Sequence, residues 1–174
     1  SRIEPQSAKW REAARDHIRS LTMPRWALGR LLDLAVDLAG ITRRIDFPVA
    51  RKKIVLMAGD HGVVAEKVSP QPQCVTVQML RNFSRGGGAI RVLAANAGAD
   101  VRLVDLGVNA DVRRLPGVIH RKIAFGTENM RRGPAMSRAQ ALASVEAGIA
   151  LAEELAPETD VFATGEMGIG NTTP

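Results

Sequence analysis

Three short apolar runs, each ending in glycine and polar residues, constrain this chain more than any other feature. The first is Ile54-Val55-Leu56-Met57-Ala58, which follows Arg51-Lys52-Lys53 and runs into Gly59-Asp60-His61-Gly62. The second is Val101-Arg102-Leu103-Val104-Asp105-Leu106, ending at Gly107. The third is Asp160-Val161-Phe162-Ala163-Thr164, which opens into Gly165-Glu166-Met167-Gly168-Ile169-Gly170-Asn171-Thr172-Thr173. The first, continuously apolar, reads as a strand buried on both faces, the habit of parallel sheets, and the other two read as further strands of that sheet. Helical patterns separate the runs. Helices are expected near residues 75–84 and 89–97, with Gly98 closing the second, and from Ser137 to about Leu155, with Ser137 as N-cap. A short strand is possible at 119–123. The order predicts an α/β fold: a Rossmann-like parallel sheet flanked by helices.

Ahead of the sheet the texture differs. Residues 8–20 carry Trp10, Ala13, Ala14, His17, Ile18 and Leu21 at helical spacing. A second helix is expected from Trp26 to about Gly40. The reading is therefore leading helices over residues 1–47, part of a small helical domain, and a parallel α/β core over 48–174.

Composition matters where it excludes functions. The chain has 174 residues and a formal net charge of +6. That charge suits nucleic acid, an anionic membrane surface or small phosphorylated ligands. Its arginines and lysines are scattered in pairs such as Arg43-Arg44 and Arg131-Arg132. There is no zinc-finger spacing and no aromatic-rich RNA motif, so no nucleic-acid partner is expected. No run of about 20 apolar residues occurs, and no membrane partner is expected. The single cysteine, Cys74, excludes an internal disulfide and points to a reducing, cytoplasmic setting. No apolar leader is visible at the N-terminus. No cofactor or metal is called for.

All three glycine exits lie at the carboxyl edge of the expected sheet, where ligands bind in such folds. Asp60 and His61, bracketed by Gly59 and Gly62, suit acid–base work or ligand binding; equally, they can brace the loop. Ser69 and Gln78 flank a proline-stiffened loop and offer neutral hydrogen-bonding groups fit for an uncharged heteroaromatic base. Gly86-Gly87-Gly88 beside Arg85 reads as a tight interhelical turn before an anion nest. The last segment is the most specific. Gly165, Gly168, Gly170, Asn171 and Thr172 can turn backbone N–H groups and a hydroxyl toward a phosphate if a helix follows. Neither a P-loop nor the dinucleotide fingerprint fits its spacing. Glu166 repels phosphate and belongs near a sugar, an incipient cation or a base nitrogen. His120 is expected in a solvated loop, Asp105 as a loop orienter or ligand contact, and Met130 and Met136 in packing or at the surface.

Taken together, Ala58-Gly59-Asp60-His61-Gly62-Val63 with Val68-Ser69, Val104-Asp105-Leu106-Gly107-Val108, Gly133-Pro134-Ala135-Met136-Ser137 and Gly165 to Pro174 resemble the nicotinate-nucleotide:dimethylbenzimidazole phosphoribosyltransferases. The resemblance runs in register from about residue 54 to the end. It implies transfer of phosphoribose from nicotinate mononucleotide to 5,6-dimethylbenzimidazole, with inversion, in cobalamin nucleotide-loop assembly. It implies that the Gly165–Thr172 segment cradles phosphate and ribose, that Glu166 supports catalysis, and that Ser69 and Gln78 line the benzimidazole pocket. Asp60 and His61 would shape the cleft floor. It also implies a homodimer whose active sites borrow from the neighbour. Cys74 departs from the glutamate expected at that place. The family's chain continues past Pro174, and its catalytic base, a glutamate, lies in that continuation. The chain alone is therefore expected to be inactive, and a non-catalytic nucleotide- or phosphate-binding relative is the alternative.

Overall fold

The computed structural model describes residues 3–172 and divides the chain into two compact units, Ser1–Val49 and Ala50–Pro174. In the first unit, α1 (Ala8–Ser20) and α2 (Arg30–Thr42) pack as a pair. Ala14, Val36 and Ala39 form their core, with Ile18 and Phe47 against it. Small residues let the helices approach: the aliphatic stem of Arg11 lies over Gly40, and its guanidinium pairs with Asp37 at 2.9 Å. α2 begins four residues later than the apolar pattern predicts. Trp26 and Gly29 both take positive φ, +54° and +51°, so the helix cannot nucleate before Arg30. The conformation of Gly29 (ψ −127°) is one that glycine adopts readily and other residues resist.

The second unit is a four-stranded, wholly parallel sheet of order β3-β2-β1-β4. Its strands are β1 (Lys52–Gly59), β2 (Ala99–Gly107), β3 (Val118–His120) and β4 (Val161–Met167). The connection from β1 to β2 carries α3 (Cys74–Ser84) and α4 (Ala89–Asn96). The connection from β3 to β4 carries α5 (Arg138–Leu155). Alternation along β1 divides the core between the two faces. Leu56 and Ala58 join Leu80, Phe83, Ala94 and Leu103 under α3 and α4. Val55 joins Val104, Leu151 and Leu155 under α5. Burying a leucine such as Leu80 or Leu103 stabilises the fold by about 1.5–3 kcal/mol. β1 is therefore apolar from Ile54 to Ala58 because helices cover both its sides.

Local signals set the element ends. Ser137 caps α5 in a full capping box: its hydroxyl accepts from Gln140 N, and the Gln140 side chain accepts from Ser137 N. Gly98 takes φ +64° just past α4. At the amino ends of the strands, Asp160 accepts from Arg51 N at 2.8 Å and from its guanidinium at 2.6 Å. This pair ties the start of β4 to the start of β1. The Arg51 hydrogen bond holds the Asp160 carboxyl below the usual carboxylate range and raises Arg51 in turn.

Two expectations shift. β4 does not end at Thr164; the ladder continues through Gly165, Glu166 and Met167, opposite Leu56, Met57 and Ala58. His120 is not in a loop but closes β3, facing Asp105 across the ladder. The glycines at 86–88 form a turn: Gly87 N donates to Asn82 O, and Gly88 begins α4. Among the described residues, β4 pairs with β1 alone, and Val161 and Phe162 are about two-fifths exposed. Among the described residues, no helix is long and apolar enough to cross a membrane.

Candidate active site

The chain crosses from β1 to β2 to β3 on one side and then returns to lay β4 on the other side of β1. That reversal opens a crevice at the carboxyl ends of β1 and β4, the usual place for a ligand in an open parallel sheet. A cavity of about 300 Å³ lies there. Gly59, Asp60 and His61 form one wall, Leu106 and Gly107 another, and Glu166, Met167 and Asn171 a third. Ile123, Ala124, Gly126 and Thr127 and the start of α5, through Gln140 and Ser144, close it. A second hollow of about 420 Å³ adjoins it, sharing Ala124, Gly126, Met136 and Gln140 and adding Phe125, Glu128 and Ser137.

Asp60 is 3% exposed and holds three segments together. Its N–H donates to Gly107 O at 2.9 Å, its carbonyl accepts from Thr127 N at 3.0 Å, and its Oδ2 accepts from Asn109 N at 2.7 Å. Oδ1 has no partner among the described residues. Asp60 thus braces the exits of β1 and β2 against the 121–127 segment while it borders the cavity. Gly62 N donates to Thr127 Oγ1 at 3.3 Å, and a Cβ on Gly62 would stand 2.6 Å from Asn129 N. Glycine is needed there for close backbone approach, not for positive φ.

Glu166 stands opposite Met57 on the ladder, with its carboxylate exposed at the cavity. The segment after it is packed tightly. A Cβ on Gly168 would collide with Gly59 O and approach His61 Nε2 to 3.1 Å. Gly170 has φ +81°, and a Cβ there would meet Val64 Cγ2 at 2.7 Å. Between them, Ile169 N donates to Thr76 Oγ1 at 3.1 Å. Asn171 reaches the cavity, and its Oδ1 accepts from Thr172 N at 2.7 Å. Thr173 and Pro174 lie outside the described residues.

Asp60, His61, Glu166 and Asn171 therefore meet at one cavity. Ser69 and Gln78 do not line it. Ser69 Oγ accepts from Gln71 N at 3.1 Å, closing a local turn, and Gln78 is exposed on α3. Met136, expected in packing or at the surface, borders both hollows. Met57, Thr127, Gln140 and Ser144 also line the cavity, and sequence reasoning does not find them there. Gln140 is legible only as a cap, and Thr127 carries no local signal because its role depends on a partner 65 residues away.

One charged group beside the site has more structural weight than its sequence context suggests. Asp105 is fully buried at the end of β2. Its Oδ1 accepts from Val108 N at 2.9 Å and from Lys122 Nζ at 3.0 Å. Lys122 also donates to Val108 O and stands 4.7 Å from the centre of the Phe125 ring. This pair fixes the 121–127 segment that walls the cavity. Among the described residues, neither hollow is lined by lysine or arginine; Asp60 and Glu166 border the first and Glu128 the second. Among the described residues, no cluster of three His, Cys, Asp or Glu could hold a metal ion.

Comparison with known proteins identifies the family. A family described as phosphoribosyltransferase matches residues 3–174. The nicotinate-nucleotide–dimethylbenzimidazole phosphoribosyltransferase of Syntrophotalea carbinolica is 54% identical over all of this chain and 50% of its own length. That of Desulfotalea psychrophila is 51% identical over 99% of this chain and 49% of its own. The crystal structure of the Thermus thermophilus enzyme of the same name superposes with a TM-score of 0.91 at 41% identity, covering 95% of this chain and 51% of that one. The chain spans about half the length of the relatives it matches. On family match, relatives and fold alike, it belongs to the phosphoribosyltransferase family of which the nicotinate-nucleotide–dimethylbenzimidazole enzymes are members.

Proposed function

We propose that the protein carrying this chain transfers phosphoribose from nicotinate mononucleotide to 5,6-dimethylbenzimidazole, giving nicotinate and α-ribazole 5′-phosphate for the nucleotide loop of cobalamin. The observation that carries the reading is the convergence of Glu166, the Asp60–His61 loop and Asn171 on one mostly apolar cavity. A benzimidazole nitrogen attacks C1′ from the face opposite the nicotinate. The old C–N bond breaks, the pyridine nitrogen keeps its electron pair, and the configuration inverts. Positive charge builds on the ribose ring in between, and the Glu166 carboxylate is the negative group at hand to stabilise it. An apolar wall excludes water and suits a flat aromatic base. With no cation in the lining, phosphate would be held by backbone N–H groups and hydroxyls of the glycine-rich segment.

The benzimidazole must also lose its proton. We assign that step to a glutamate in the half of the family's length that this chain does not span. On this reading the chain binds the mononucleotide but does not turn it over. We also read the protein as a cytoplasmic homodimer. The exposed free thiol of Cys74 suits a reducing compartment. The test is nicotinate release from nicotinate mononucleotide, with and without dimethylbenzimidazole. It is run on this chain and on a version extended to the length of its relatives. Base-dependent release by the longer protein is expected; release by neither overturns the reading.

A further inference from the structure

Thr76 sits in the first turn of α3 and is fully buried. A buried hydroxyl is costly unless it is bonded. Valine would fill the same space without that cost, and both are β-branched residues that a helix only tolerates. The hydroxyl has a specific use here. Thr76 Oγ1 accepts the Ile169 N–H at 3.1 Å, across 93 residues of chain. Ile169 lies between the two glycines that have no room for a side chain, Gly168 against Gly59 O and Gly170 against Val64. The Thr76 bond thus pins the middle of a segment whose ends are wedged.

We infer that Thr76 is a positioning residue: it draws the Ile169 N–H inward, toward α3, and so sets the orientation of the segment between Met167 and Asn171, the two residues on either side of it that line the cavity. The inward-turned Ile169 N–H is itself unavailable to a phosphate. Without the hydroxyl, that N–H is left buried and unpaired, and the segment relaxes to find it a partner. The cradle then loses its shape while α3 and the sheet stay folded. The ligand half of this inference rests on the proposed function; the anchoring half does not.

The experiment compares this chain with Thr76→Val, which keeps the shape, and Thr76→Ser, which keeps the hydroxyl. Backbone amide exchange is measured first, without ligand. The Ile169 amide is expected to exchange about tenfold faster or more in Thr76→Val, with β1 amides unchanged and Thr76→Ser close to wild type. Binding of nicotinate mononucleotide and of nicotinate riboside, which lacks the phosphate, is then titrated calorimetrically. Thr76→Val is expected to weaken the mononucleotide by about tenfold, to leave the riboside unchanged and to be rescued by Thr76→Ser. Unchanged Ile169 exchange overturns the anchoring. Equal losses for both ligands, or none, overturn the positioning role. If the wild-type chain binds neither ligand, the ligand half falls with the functional reading, and anchoring is judged on exchange alone.

Discussion

Gly168 packs against the carbonyl oxygen of Gly59 so closely that no side chain fits between them. This contact joins the exits of β1 and β4, the two strands that flank the reversal in the sheet. It turns the glycine-rich segment back over the first wall of the cavity rather than out into solvent. Gly168→Ala must push the two exits apart. A loss of about 1–3 kcal/mol in urea unfolding is expected, as for other overpacked sites. Gly165→Ala is the control, because its Cβ would meet Ile90 Cδ1 at an ordinary 3.6 Å. Equal stability of the two variants would contradict this account.

Glu166 is held by its place opposite Met57 on the ladder. Glu166→Gln keeps the shape and removes the charge. In the protein that turns over, kcat is expected to fall about 100-fold, the size of effect seen when one electrostatic stabiliser is lost, with a smaller change in KM. A variant with wild-type kcat would remove Glu166 from the chemistry.

Lys122 neutralises Asp105 beneath the 121–127 segment. Lys122→Met leaves a buried carboxylate without its cation and is expected to cost about 3 kcal/mol or more. Replacing both partners with apolar residues should recover much of that loss. The check is a double-mutant cycle by denaturant unfolding. Additive losses would show that the two groups do not act as a pair.

The legible part of this chain is the part set by local pattern. β1 and β2 announce themselves because helices cover both faces, and α5 because Ser137 and Gln140 form a cap within four residues. The start of α2 is not legible, because the positive φ of Trp26 has no sequence signature. The end of β4 is hidden because Gly165 reads as a terminator, although here the ladder runs through it. The cavity's glycines and Glu166 stand out. Thr76, Thr127 and Lys122 do not, since each acts through a residue distant in sequence. Ser69 and Gln78 are grouped with the site by their neutral hydrogen-bonding groups and by resemblance, and they are not among the residues that line the cavity.

Asp160 predicts a pH dependence. Its carboxyl lies below the usual range because Arg51 hydrogen-bonds the ionised form. A depressed carboxylate contributes stability that is fully present above its unfolded pKa, about 3.9, and is lost as pH falls through the lower folded value. Asp160→Asn should therefore be less stable than wild type at neutral pH, and the gap should close in strong acid. A gap independent of pH, measured by urea unfolding across the acid range, would rule out the ion pair as its source.

The most direct test of the central claim is the crystal structure of this chain with nicotinate mononucleotide bound. The account places the phosphate against the backbone of residues 168–171 and the ribose beside Glu166, in the cavity walled by Asp60 and His61. A mononucleotide seated instead at the Gly86–Gly88 turn, or wholly within the outer hollow at Phe125 and Glu128, would contradict it.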